Sequence, residues 1–189
     1  MNYYGKSIGE YAFSSVQSLK KLVVSDNTTN ICNYAFYNTP NLEYEMVEGQ
    51  KYIPSFTNPH HAFIEADEEP SILNLHEDTK VLALDSLNYV TSEFVVLPKG
   101  IQYFNKDRLI YRVSLLKGFL YKGSVEDAKD VEVGYNGAIK EVNLADFNTV
   151  CDGYNHQNYD VYFYSETKPV DTAHKYWKYD IDGVTPIIW

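Results

Sequence analysis

Residues 8–24, IGEYAFSSVQSLKKLVV, lie over residues 31–47, ICNYAFYNTPNLEYEMV, at an offset of 23. Ile8 falls on Ile31, Tyr11 on Tyr34, Ala12 and Phe13 on Ala35 and Phe36, Leu19 on Leu42, and Val24 on Val47. A fixed period of this length marks a stacked coil, in which each unit buries its apolar face only against its neighbours. Beyond Val47, a short apolar strand followed by a polar turn recurs: ILNL ends at Leu75, FVVL at Leu97, GFL at Leu120, VNL at Leu144 and VYFY at Tyr164. The intervals between strand ends run from 20 to 28 residues, close to one residue count per turn. Ile31, Leu82, Phe104 and Cys151 stand seven residues past four of these ends and are expected to point inward on the far side of each turn. After Val47 the stretch KYIPSFTNPHH, with two prolines, reads as an inserted loop that displaces the pattern.

Each unit is thus a short strand, a tight polar turn, a second extended piece, and a brief helical or irregular turn at YAF. Ala12 and Ala35 are small where layers approach, and Phe13 and Phe36 fill the space between them. No single unit can stand alone, because burying about six apolar side chains does not offset the ordering of some 23 residues at about 1.5 kcal/mol each. Stability has to come from stacking.

Composition agrees with a folded, soluble chain: 44% of residues are apolar and 22% charged, which fits neither a disordered tail nor a membrane bundle. Sixteen basic residues against twenty-six acidic ones give a net charge of −10, a poor platform for phosphate backbones, so nucleic acid is not expected as a partner. Apolar runs such as VVL at 95–97 are far shorter than a membrane span needs, so no spanning segment is expected. Cys32 and Cys151 form neither a CxxC nor a metal-ligand spacing. Eighteen tyrosines are the compositional oddity, since Tyr joins a flat apolar face to a hydrogen-bonding tip and suits exposed contact surfaces.

IGEYAF, LKKLVV and, later, FVVLPKGIQYF resemble the BspA-like class of bacterial leucine-rich repeats, which carries an I-G-x-x-A-F element and an L-x-x-I-x-I-P strand per turn. The closing stretch YFYSETKPVDTAHKYWKYDIDGVTPIIW is similar to the tail that ends such arrays, with its Y-W-x-Y, its D-G and its terminal Trp. The likeness is specific at both ends and in 94–104, and weak over 105–150. Gly9 keeps the family glycine while Cys32 replaces it one turn on, which questions the local turn, since a left-handed bend suits Gly far better than Cys.

The resemblance implies an α/β fold: a leucine-rich-repeat right-handed superhelix, or solenoid, with one parallel β-sheet and short helical or irregular turns. Residues 1–189 then form a single unit, with regular repeats at 1–47 and 72–104, degenerate repeats at 105–164 and a cap at 165–189. It also implies a non-enzymatic binding or adhesion module, on the bacterial cell surface or secreted, that recognises a protein or glycan on another surface. It offers no catalytic residues to carry over. The opening MNYYGKSIGEYAF lacks the parts of an export signal, and a 23-residue period puts the previous strand end at Met1, so the chain reads as a fragment lacking its amino-terminal part.

Other chemistry is weighed against blander alternatives. His60 and His61 with Glu65 and Asp67 are the densest run of metal-ligand types, but adjacent histidines on a strand face opposite ways, so loop solvation is preferred and no metal or cofactor is expected. ADEEP at 66–70 reads as a solvated turn rather than a paired-carboxylate site. Cys151, with His156 five residues on, reads as a packed thiol. Asn27-Thr28-Thr29 fits a glycosylation acceptor, idle in a bacterium. Gly118, Gly123, Gly134 and Gly137 lie at turns without a phosphate-cradling arrangement. Tyr176, Trp177, Tyr179 and Trp189 suit a lid over the last turn more than a sugar platform. Strand alternation, with Leu22 and Val24 facing in, puts Val23, Met46, Asn74, Val96, Phe119, Asn143 and Phe163 in an outward row that could bind a ligand or self-associate, unless other parts of the chain cover it. The rivals are a structural spacer and a carbohydrate-active enzyme using Glu65 or Asp67.

Overall fold

The computed structural model describes residues 1–32, 34–67, 70–88, 90–105, 115–135, 138–146, 149–151 and 158–189. Each unit of the repeat is spelled out as two short strands rather than one. The first unit gives β1 (Asn2–Tyr3) and β2 (Ser7–Ile8), the second β3 (Val23–Val24) and β4 (Asn30–Ile31). β1 pairs with β3 in parallel, Tyr3 opposite Val24, and β2 with β4, Ile8 opposite Ile31. Backbone bonds tie the turns as well, from Phe13 N–H to Ala35 O at 2.8 Å and from Glu43 N–H to Lys20 O at 2.8 Å. The repeat offset is therefore a hydrogen-bonding offset. Ile8, Leu22, Val24, Ile31, Ala35 and Leu42 are buried in a common layer, as their spacing predicts.

The next stretch breaks the parallel pattern. β5 (Glu45–Val47), β6 (Gln50–Ile53) and β7 (Ala62–Ala66) run antiparallel in succession, Val47 opposite Gln50 and Ile53 opposite Ala62. Glu48 and Gly49 both have positive φ, 48° and 74°, the conformation of a two-residue hairpin turn whose twist matches the flanking strands. KYIPSFTNPHH thus opens as strand: Lys51, Tyr52 and Ile53 belong to β6, and the loop proper begins at Pro54.

From here two strands per turn alternate between two sheets: β8 (Ile72–Asn74), β9 (Val81–Leu82), β10 (Phe94–Leu97), β11 (Tyr103–Asn105), β12 (Gly118–Tyr121) and β13 (Glu132–Tyr135). β14 (Ala138–Asn143), β15 (Thr149–Cys151), β16 (Asn158–Tyr164), β17 (Lys175–Tyr179) and β18 (Pro186–Ile188) complete the chain. One seven-stranded sheet has the order β18-β17-β16-β12-β10-β8, with β15 paired to β16; the other has the order β14-β13-β11-β9-β7-β6-β5. Neighbours from β8 through β17 in the first sheet pair in parallel, as do β7, β9, β11 and β13 in the second. Leu73, Val95, Phe119 and Val161 stand opposite one another across four strands and face Phe63, Leu82 and Val133 of the second sheet in one core.

Two expectations are corrected. The fold is sheet-dominated rather than α/β: the helical segments among the described residues are single 3-10 turns, Asp127–Asp130 and Leu144–Asp146. One continuous parallel sheet is replaced by two mixed sheets and two short ladders, because a unit holds two strands and because hairpins enter at 45–66 and 132–143. The strand end anticipated at 47 is a hairpin arm, and the one anticipated at 144 lies in the 3-10 turn directly after the hairpin arm β14, which ends at Asn143. Ile31 and Leu82 occupy the inward positions expected of them, whereas Cys151 lies in β15, antiparallel to β16, and not across the turn.

Candidate binding surface

The YAF turns build the most distinctive surface of the molecule. Tyr11 and Tyr34 occupy equivalent positions with φ of 56° and 53°, and four residues on, Ser15 and Asn38 repeat the positive φ at 60° and 52°. An aromatic residue does not choose this region locally. It is held there because Ala12 N–H bonds to Gly9 O, Ser15 N–H to Tyr37 O and Tyr37 N–H to Tyr34 O, at 3.2, 2.8 and 3.0 Å. The bend throws the tyrosine rings outward. Tyr11 and Tyr34 stack with centroids 5.2 Å apart and planes at 11°, and Tyr37 meets Tyr34 edge-on at 5.8 Å. Their exposures are 52%, 48% and 59%, so the ladder is half in water. Phe13 and Phe36 stack behind them at 5.9 Å.

Polar groups rim the ladder. Asn38 Nδ2 donates to Ser15 Oγ at 3.3 Å, Asn41 Nδ2 to Gln17 O at 2.7 Å, and Thr39 Oγ1 to Phe13 O at 3.0 Å. Beside Tyr34 and Tyr37 opens a cleft of about 190 Å³ that also touches Cys32, Ala35, Tyr44 and Glu65. Burial, and then the charge of Glu10, pushes the Cys32 thiol up, so it stays protonated near neutral pH. Burial pushes the Tyr44 hydroxyl up to about 12, with Glu65 adding to the shift. Flat aromatic area, amide and hydroxyl hydrogen bonds, and groups that hold their protons are means of recognition.

The outward row does not form one surface. Val23 is half-buried, Met46 and Asn74 are exposed, and Asn143 is half-buried, on three different sheets. Phe119 and Phe163 are fully buried in the core, because β12 runs to Tyr121 and the register sets Phe119 opposite Val95 instead of Val96. Val96 does face outward, but with Leu120 it is sealed by Trp177. Val96, Phe119 and Phe163 are thus closed off from solvent, and Val23, Met46, Asn74 and Asn143 do not share one sheet.

The remaining candidates are dispersed. Glu65 and Asp67 both pair with Lys51 Nζ, at 2.7 and 2.6 Å, across the β6–β7 hairpin. His61 is buried, and its Nε2 donates to Thr28 O at 2.8 Å. His60 turns the other way, toward His76 and Asp78. Glu68, Glu69, Gly137 and His156 lie outside the described residues, as does the side chain of Cys151. Trp177 is fully buried and its indole donates to Tyr121 O at 2.9 Å, while Tyr176, Tyr179 and Trp189 remain partly exposed. The tyrosine ladder itself was signalled only by the Tyr11–Tyr34 match, whose outward direction no local rule supplies.

Residues 2–64 match a family model described as BspA type leucine rich repeat region (6 copies). No curated protein and no solved structure matches the chain. No helix among the described residues is long and apolar enough to cross a membrane.

Proposed function

We propose that this chain, whose residues 2–64 are a BspA-type leucine-rich repeat region, is a non-catalytic recognition module that docks a protein through the ladder of Tyr11, Tyr34 and Tyr37. Repeats of this type are typically interaction modules without enzymatic activity, and the family is typically bacterial and extracellular. The reading takes the paired ladders as successive turns of one right-handed solenoid over 1–189, closed by residues 165–189, and places it at the cell surface or outside the cell in an adhesive role. The carrying observation is that Tyr11 and Tyr34 stand half exposed and stacked at the repeat spacing, with Tyr37, also half exposed, edge-on to Tyr34. Rigid stacked rings lose little conformational freedom on contact and present both apolar area and hydroxyls, which is why Tyr dominates protein-binding loops.

The test is a screen of the labelled protein against arrays of host surface proteins and of glycans, followed by the same screen with Tyr11→Ala/Tyr34→Ala/Tyr37→Ala. A protein ligand that loses at least tenfold in affinity to the triple variant, with the thermal melt retained, supports the reading. Glycan hits alone redirect it to a carbohydrate ligand. A ligand bound equally by the triple variant overturns the ladder as the site, and silence on both arrays favours the structural spacer.

A further inference from the structure

The loop from Pro54 to His61 and the turn after β8 bring three metal-ligand side chains together from distant parts of the sequence. The His60 and His76 rings have centroids 3.9 Å apart at a tilt of 45°. Asp78 Oδ2 is 3.7 Å from His76 Nδ1 and 3.9 Å from His60 Nδ1. One donor atom from each residue falls within 4.8 Å of the other two.

His76 Nδ1 accepts the Asp78 N–H at 3.2 Å, a bond that coordination through this atom would replace. His60 Nδ1 is buried and has no hydrogen-bond partner, which leaves a polar atom paying its desolvation without return.

The backbones that carry these ligands are fixed by a shared second layer. Asn58 Oδ1 accepts the His60 N–H at 2.8 Å, and Asn58 Nδ2 donates to Asp78 O at 2.7 Å, so one amide holds two ligand-bearing segments in register. The Tyr52 hydroxyl accepts the His76 N–H at 3.1 Å, and its ring meets His60 edge-on at 5.4 Å. Gln50 anchors Tyr52 in turn, accepting its hydroxyl proton and donating to Asn74 O at 2.7 Å. Outer-layer support of this kind characterises metal sites.

We propose that His60, His76 and Asp78 bind one Zn²⁺ ion, which clamps the β6–β7 loop to the turn after β8 and keeps a fourth coordination position open. Two imidazoles and a carboxylate suit a borderline divalent ion, and a tetrahedral site with bonds of about 2.1 Å has donor edges of about 3.4 Å. The two His–Asp edges stand at 3.7 and 3.9 Å, close to that span. Staple and ladder are independent, so failure of either leaves the other standing.

The experiment is calorimetric titration of the full chain with Zn²⁺ after dialysis against a chelator, with thermal melts in parallel. Expected are one ion per chain at micromolar Zn²⁺, a rise in melting temperature on loading, and an intense visible spectrum when Co²⁺ replaces Zn²⁺. His76→Ala and Asp78→Asn, both on accessible side chains, should abolish micromolar uptake, and Asn58→Ala should weaken it about 10–100-fold through lost positioning. His174→Ala, which removes the distant histidine paired with Asp171, should leave Zn²⁺ uptake unchanged. No uptake, uptake only at millimolar Zn²⁺, or micromolar uptake that survives His76→Ala and Asp78→Asn would overturn the site.

Discussion

Gly9 and Gly118 make opposite demands on a single added atom. A Cβ on Gly9 would meet nothing within 4 Å, and its backbone lies outside the left-handed region, so Cys32 can stand at the equivalent position one turn on. The left-handed bend expected there belongs instead to Tyr11 and Tyr34, two residues later. That shift could not be read from the sequence, because local preference argues against positive φ at an aromatic residue and only the bonds between stacked turns override it. Gly118 is different: a Cβ there would sit 2.5 Å from Asp160 O and 3.0 Å from the Tyr162 ring, inside the ladder where β12 meets β16. Gly118→Ala should therefore destabilise by at least about 2 kcal/mol through forced separation of the two strands. Gly9→Ala should stay within about 0.5 kcal/mol of the parent. Urea denaturation midpoints of the two variants check the pair, and equal effects would contradict the register.

Hairpins mark the places where a single repeat period stops describing the elements. The β5–β6 turn is written in the sequence as Glu48-Gly49 between two extended runs, but the run ending at Val47 also satisfies the period, so the repeat alone reads it as a solenoid strand. The β17–β18 hairpin carries the plainer Asp182-Gly183 signal, with Gly183 at φ 68° and Asp182 accepting the N–H groups of Val184 and Thr185. The approach to β17 is tied by Asp171, which accepts from the Tyr176 hydroxyl at 2.6 Å and the Ala173 N–H at 2.7 Å and lies 2.8 Å from His174 Nδ1. The Tyr176 hydroxyl, then His174, then the Ala173 N–H hold its carboxyl down to about 2, from an ordinary 3.8. Since the folded value lies below the unfolded one, the stability Asp171 adds is fully present above about pH 4 and disappears as pH falls toward 2. The stability gap between the parent and Asp171→Asn should accordingly shrink between pH 5 and pH 2. Urea midpoints across that range check the sign, and a gap that widens on acidification would refute it.

At the scale of the molecule, the sheet is regular where the sequence is regular. Ile72, Phe94 and Gly118 are ladder neighbours at offsets of 22 and 24, whereas the next neighbour of Gly118 is Asp160, 42 residues on, since β13, β14 and β15 are spelled out in between. The period was legible in the packed layers of the first two turns and faded where added strands changed sheets, and with it went the outward row. We propose that the tail closes the array. β17 covers the edge of β16 over 162–164, beyond the stretch that β15 pairs, and Trp177 lies over Val96 and Leu120 on the outer face, with Phe94, Tyr162, Tyr164 and Tyr179 around them. An uncovered edge strand beside an uncovered apolar patch is a template for pairing with another chain. A variant ending at Ser165 should therefore self-associate, eluting larger than a monomer in size-exclusion chromatography with light scattering. Trp177→Ala keeps β17 on the edge but opens the patch, so it should remain monomeric while losing about 3–5 kcal/mol of stability. A monomeric, fully stable truncation would show that the core between the sheets holds without its tail, and that residues 165–189 do not cap it.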